Sequence, residues 1–168
     1  MSLLRLPLRF YFLALFVLCV GEFCFGVFYL QMTKGLEPCP MCIMQRYALL
    51  GIGFIALAGA LHNRGAWIYG TLVTLAALAG GGVAVRQSWL QLYPPETMGC
   101  GPGLEYMLEN FPLAELLPKL FRGEGDCSAV DWTFLGLSIA NWGLITFAAI
   151  VIVTPLAVWW LRYAGRLK

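Results

Sequence analysis

Apolar residues gather in four long runs, at positions 10–30, 43–61, 66–85 and 142–161, separated by shorter polar stretches. About 20 residues of helix cross a hydrocarbon core, so each run is long enough to span a bilayer. The third and fourth runs carry no Asp, Glu, Lys or Arg, the first carries only Glu22 and the second only Arg46. This pattern predicts an all-α membrane protein, a four-transmembrane-helix bundle. Residues 1–168 form a single integral membrane domain, with outer loops at 31–42 and 86–141. Arg5 and Arg9 precede the first run as in a secretory signal, but the run is too long and lacks a small-residue cleavage site, so it reads as a retained span. Composition agrees: 60% of residues are hydrophobic and 12% charged, against roughly 45–50% and 25% in a soluble domain.

Charge sets an orientation. Four spans leave both termini on one side, and Arg5, Arg9, Arg64, Arg162, Arg166 and Lys168 all fall there without an acidic residue. Glu37, Glu96, Glu105, Glu109, Glu115, Glu124, Asp126 and Asp131 lie in or beside the opposite loops. The positive-inside rule then places both termini in the cytoplasm and both loops outside. The net charge of +2 adds little, and the chain lacks the basic face that a nucleic-acid partner requires.

Orientation gives the cysteines their meaning. Cys39, Cys42, Cys100 and Cys127 fall on the outer side, where disulfides persist, as in a bacterial periplasm. Cys19 and Cys24 lie within the first span and read as small packed hydrophobes. In Glu37-Pro38-Cys39-Pro40-Met41-Cys42-Ile43-Met44-Gln45-Arg46, helical spacing sets Cys39 beside Cys42 and Cys42 beside Arg46, because residues three and four apart are neighbours on a helix. A thiolate is the reactive form of cysteine, and it is favoured at a helix N-terminus, beside Arg and within a Cys-x-x-Cys pair. The prolines suit the start of a helix. A bare Cys-x-x-Cys equally fits a structural disulfide, half a zinc site or two packed cysteines. His62, the one histidine, sits in the cytoplasmic turn far from these thiols, which argues against a Cys/His metal site.

Three further features stand out within the spans. Glu22 is an acid more than halfway across the first span, fitting either a polar pathway or a carboxyl hydrogen-bonded inside the bundle. Arg46 lies about one turn below the outer surface, close enough to snorkel to the headgroups. Gly80-Gly81-Gly82 allows close helix packing, or leaves room for a flat ring beside Cys42.

The long outer loop exceeds ordinary connections. Cys100 lies among glycines in Met98-Gly99-Cys100-Gly101-Pro102-Gly103, which gives a disulfide there freedom to be reached by another protein. Between Cys100 and Cys127, Leu113, Leu116, Leu117 and Leu120 recur at helical spacing, a short amphipathic segment suited to the membrane surface. One cysteine pair at a helix end and another in a loop suggest electron flow through disulfide exchange. With no haem ligand set, iron–sulfur spacing or Rossmann glycines in view, a lipid-soluble acceptor such as quinone is the economical way out for the electrons.

At these residues the chain resembles the DsbB family of inner-membrane disulfide-bond formation proteins. The resemblance covers nearly the whole length. It includes the Cys39/Cys42 pair with Arg46 four residues on, Gln91-Leu92-Tyr93-Pro94, the loop pair Cys100 and Cys127, Gly125-Asp126-Cys127, and Trp132-Thr133-Phe134-Leu135-Gly136-Leu137. It implies a multi-pass protein of the bacterial inner membrane that uses a quinone, ubiquinone or menaquinone, to reoxidise a periplasmic thioredoxin-fold oxidase of the DsbA type. Cys100 would form the mixed disulfide, Cys127 would pass electrons through Cys39, and Cys42, supported by Arg46, would meet the quinone. Gln87 and Gln91 are further candidates for quinone binding. The chain departs from the family pattern in two places: Gln45 stands where members can carry an acid, and Gln87 where they can carry a histidine. Alternatives left open are a non-catalytic four-span protein with structural disulfides and a vitamin-K-epoxide-reductase-like oxidase.

Overall fold

The computed structural model describes residues 5–36, 38–62, 64–94, 130 and 132–164. Cys100, Cys127 and the amphipathic stretch 111–122 lie outside the described residues.

Four helices form around the four apolar runs. The first, α1 (Arg5–Cys24), continues directly into a π-helical stretch (Phe25–Thr33). Then follow α2 (Pro40–His62), α3 (Ala66–Leu92) and α4 (Ile139–Ala164). All four are long and apolar enough to cross a membrane. Large apolar side chains such as Phe10, Phe54, Leu75 and Trp160 lie exposed on the outer surface, an arrangement costly in water and favourable against lipid.

Backbone hydrogen bonding, rather than hydropathy, fixes where each helix ends. Apolarity fades at Arg86, yet α3 runs on to Leu92, so Gln87 and Gln91 are helical. Past the π stretch, Gly35 adopts a left-handed φ of 67°. This lets Gly35 N–H reach Gln31 O at 3.1 Å and Leu36 N–H reach Leu30 O at 3.2 Å, the usual way to satisfy a helix C-terminus.

Each helix packs along the next in sequence, α1 on α2, α2 on α3 and α3 on α4, whereas α1 and α4 meet only briefly. The core joins Phe12, Leu15 and Cys19 of α1, Ile52 and Ala56 of α2, Val73 and Ala77 of α3, and Phe147 and Ile150 of α4. Polar links also cross from α1 to α4, among them a 2.8 Å hydrogen bond between the Tyr11 hydroxyl and Thr154 Oγ1.

Small residues let the helices approach closely, and Gly80 does so most tightly. A methyl group there would lie 2.5 Å from the Phe147 ring and 3.0 Å from Ala48 Cβ. The space beside Gly80 and Gly81 is therefore taken by Phe147, and none of the three glycines borders the cavity beside Cys42. The sequence-based idea that they make room for a flat ring is corrected accordingly. Gly80→Val should lower stability by about 1–3 kcal/mol through overpacking, while Gly82→Val, which meets nothing within 4 Å, should leave the melting temperature in detergent nearly unchanged.

Before α4 the chain makes a short antiparallel hairpin, β1 (Thr133–Phe134) with β2 (Leu137–Ser138), in the register Thr133↔Ser138 and Phe134↔Leu137. The turn residues Leu135 and Gly136 both take positive φ, 53° and 78°, as the tight hairpin turns that match strand twist require. The hairpin carries Trp132 and Phe134, whose stacked rings lie 6.0 Å apart, and Phe134 in turn faces Trp142 of α4. Ser138 then starts α4, its Oγ accepting from Asn141 N–H at 3.4 Å.

Candidate functional site

Cys39 immediately precedes α2, and its sulfur accepts the Cys42 N–H at 3.3 Å. This is the place where a side-chain acceptor satisfies an otherwise unpaired helix N–H. The geometry draws the two sulfurs together: Cys39 Sγ donates to Cys42 Sγ at 2.9 Å. A second donor comes from α3. Gln87, almost fully buried, directs its amide nitrogen to both sulfurs, 3.3 Å from Cys39 and 3.1 Å from Cys42. Cys42 Sγ therefore receives two donors at the positive end of the α2 dipole, an environment that favours thiolate.

Gln45 lies one turn deeper and is buried as well. Its Nε2 donates to Gln87 Oε1 at 2.6 Å. Arg46 is half-buried. Its guanidinium donates to Gly26 O and to Gln31 Oε1, each at 2.9 Å, both on the stretch that follows α1. The π-helical stretch places Gly26 against it, and a side-chain carbon at position 26 would lie 3.1 Å from Arg46 Nε. Such stretches occur often at functional sites because they re-aim backbone groups. Gln91 accepts a 2.6 Å hydrogen bond from Ser138 Oγ, tying the outer end of α3 to the start of α4.

These groups border one cavity of about 520 Å³. Cys39, Cys42, Arg46 and Gln87 lie on its wall, and apolar faces come from Phe25, Leu30, Leu49, Trp132 and Trp142. Glu22 and Thr146 line it too, joined by a 2.8 Å bond in which the Thr146 hydroxyl donates to Glu22 Oε1. Thus Glu22 faces a partner on α4 within the bundle. The cavity draws on α1 and α4 where these two helices scarcely touch, and on α2 and α3 between them. A mostly apolar cleft with a few converging polar groups is the usual form of a small-molecule site.

Of the residues singled out from sequence, Cys39, Cys42, Arg46, Gln87 and Gln91 meet around this cavity, while Cys100 and Cys127 lie outside the described residues. Cys19 is buried in the core and Cys24 half-buried. His62 is exposed, its Nδ1 2.7 Å from the Tyr69 hydroxyl. Sequence reasoning passed over Gly26, Gln31, Gly143 and Thr146, which border the cavity or bond to Arg46. Gln31 offered the best clue, as an amide next to the end of a hydrophobic run.

Comparison with known proteins matches this arrangement to a family. The family model described as disulfide bond formation protein DsbB matches residues 8–157. A disulfide bond formation protein B of Azoarcus sp. (strain BH72) is 61% identical over 160 residues, covering 94% of this chain and 93% of the relative. The protein of that name from Aromatoleum aromaticum is 58% identical over 144 residues, covering 84% and 86%. That from Chromobacterium violaceum is 43% identical over 159 residues, covering 92% of each. With the family matched over most of its length and relatives aligned nearly end to end, the chain belongs to the DsbB family of disulfide bond formation proteins.

Proposed function

We propose that this protein is a quinone-linked thiol oxidoreductase that reoxidises a periplasmic thioredoxin-fold oxidase of the DsbA type. The observation that carries this reading is the Cys39/Cys42 pair on the wall of a largely apolar cavity bordered by the loosely joined helices α1 and α4. Such a cavity suits a ligand arriving from the lipid. A quinone bound there would take up two electrons and two protons to become a quinol.

The chain's own groups fit that task. Gln87 and Cys39 direct hydrogen bonds onto Cys42 Sγ, so negative charge on that sulfur is supported without a metal. Arg46 adds positive charge on the same wall, fixed by Gly26 and Gln31. The aromatic rings of Phe25, Trp132 and Trp142 line the cavity and offer flat faces for a ring.

The thiol route follows from disulfide exchange. The partner's thiolate attacks the Cys100–Cys127 disulfide at Cys100, releasing Cys127 as a thiolate. A second partner thiolate then resolves the mixed disulfide, and the partner leaves oxidised. Cys127 attacks Cys39 of the Cys39–Cys42 disulfide, and Cys100 closes back on Cys127, leaving Cys39 and Cys42 reduced. One two-electron transfer thus accompanies each partner disulfide formed. This reading puts the chemistry on the outer face of a bacterial inner membrane with both termini in the cytoplasm, and the excess of basic residues beside the termini supports it.

The test uses the purified protein in detergent with a reduced DsbA-type protein and a ubiquinone or menaquinone analogue. Quinone absorbance should fall in step with formation of the partner's disulfide. A partner that stays reduced in the presence of quinone would overturn the proposal.

A further inference from the structure

Two buried amides at the site, Gln45 and Gln87, are in direct contact. A carboxamide is polar end to end: one end only accepts hydrogen bonds and the other only donates. Gln87 lies between Gln45 and the sulfurs, so the end it shows the sulfurs depends on what Gln45 offers its other end. Gln45 offers a donor, Nε2–H to Gln87 Oε1 at 2.6 Å. That fixes the Gln87 amide with both its hydrogens toward Cys39 and Cys42. Gln45 is itself limited by α4. A methyl group on Gly143 would lie 2.6 Å from Gln45 Oε1, so the Gln45 side chain keeps its present place only because residue 143 has no side chain.

We infer that Gln45 and Gly143 are positioning residues for the Cys39/Cys42 pair, acting through Gln87 to hold two N–H donors on the sulfurs. The relay spans three helices, from Gly143 on α4 through Gln45 on α2 to Gln87 on α3. All of its groups are uncharged. The inference rests on Cys39/Cys42 being the redox pair and names what tunes it.

Reversing the relay is the sharpest test. In Gln45→Glu, measured at a pH where the new carboxyl is ionised, residue 45 only accepts, so Gln87 must turn its nitrogen toward residue 45 and show its oxygen to the sulfurs. Two donors are thereby exchanged for a repelling acceptor. The measurements use the reduced full-length protein in detergent, without quinone or partner. They are the alkylation rate of Cys42, resolved by mass spectrometry, and the reduction potential of the pair in thiol buffers.

Hydrogen bonds to charged groups are stronger than those between neutral groups, so Gln45→Glu should slow Cys42 alkylation by about tenfold or more. Because the donors stabilise the reduced form, the potential should also fall, by about 30 mV for each tenfold change in the equilibrium. Gly143→Ala, which displaces Gln45 without changing any charge, should shift both readouts in the same direction. In the double variant Gln45→Glu/Gln87→His an imidazolium, with both ring nitrogens protonated beside the new carboxylate, can donate to the carboxylate through one nitrogen and to the sulfur through the other, so both readouts should recover. A folded Gln45→Glu or Gly143→Ala protein with unchanged alkylation and potential would overturn the inference. So would a double variant no better than Gln45→Glu. If Cys42→Ser removes turnover while these variants shift nothing, the relay alone fails; if Cys42→Ser keeps turnover, the functional reading fails.

Discussion

Cys42→Ser should reduce quinone turnover to background while leaving the protein able to capture a reduced DsbA-type partner as a mixed disulfide at Cys100. The expectation comes from how the bonds divide between the two sulfurs. Gln87 donates to both sulfurs and Cys39 Sγ also accepts the Cys42 backbone N–H, but between the two thiols it is Cys39 that gives its hydrogen and Cys42 that receives it. Cys42 is thus the better supported thiolate, and it lies on the cavity wall. A serine hydroxyl titrates far above neutral pH and forms no disulfide, so electrons arriving at Cys39 have no route onward. The substitution keeps the backbone N–H that bonds to Cys39, so the start of α2 should survive. Anaerobic quinone absorbance reads the first outcome and a non-reducing gel of trapped partner reads the second. Sustained quinone reduction by Cys42→Ser would remove Cys42 from its assigned role.

Arg46→Ala should lower quinone turnover by roughly ten- to a hundredfold while partner capture stays near wild type. The guanidinium makes two 2.9 Å bonds, to Gly26 O and Gln31 Oε1, and lies on the cavity wall one turn from Cys42. Removing it takes away the nearest positive charge in the helix register and leaves a carbonyl of the π-helical stretch without this donor. Losing hydrogen bonds of a charged group costs about 1.5–3 kcal/mol, which corresponds to the factor given at about 1.4 kcal/mol per tenfold. Arg46→Lys should recover only part of the loss, because an ammonium cannot reproduce the planar fork that reaches both oxygens. Following KM for quinone beside the rate of mixed-disulfide formation separates the cases. Equal losses in both would mean that Arg46 serves the fold rather than the quinone reaction.

Much of the membrane architecture was legible because hydropathy is a local property. A run of 20 apolar residues predicts a helix across lipid whatever its neighbours are, and four such runs suggest a bundle. The Cys39/Cys42/Arg46 spacing was legible for a related reason, since positions three and four apart share a helix face wherever the helix lies. Helix ends were less legible: hydropathy stops at Arg86, but backbone hydrogen bonding carries α3 on to Leu92. The partners of Arg46 were hidden too. They are a carbonyl 20 residues away and an amide 15 residues away, both in the π-helical stretch.

The triple glycine shows a different limit. Its depth matched that of Arg46, yet depth says nothing of rotation about the helix axis, and rotation points Gly80 at Phe147. The hairpin at Thr133–Ser138 was read only as a lead-in to the last span. Its turn needs positive φ at Leu135, a residue type that seldom marks such a turn,.

By itself the sequence determined that the chain crosses a membrane four times, that two cysteines begin the second crossing, and that the chain resembles the DsbB family. The tertiary structure alone decided that Gln45 meets Gln87 across 42 residues of chain, that Arg46 bonds to Gly26, and that Glu22 faces Thr146 on the last helix. Periodicity specifies which face of a helix is apolar, but the rotation and register of one helix against another follow from how small and large side chains interlock along the whole bundle. Those two quantities decide which polar atoms come within 3 Å.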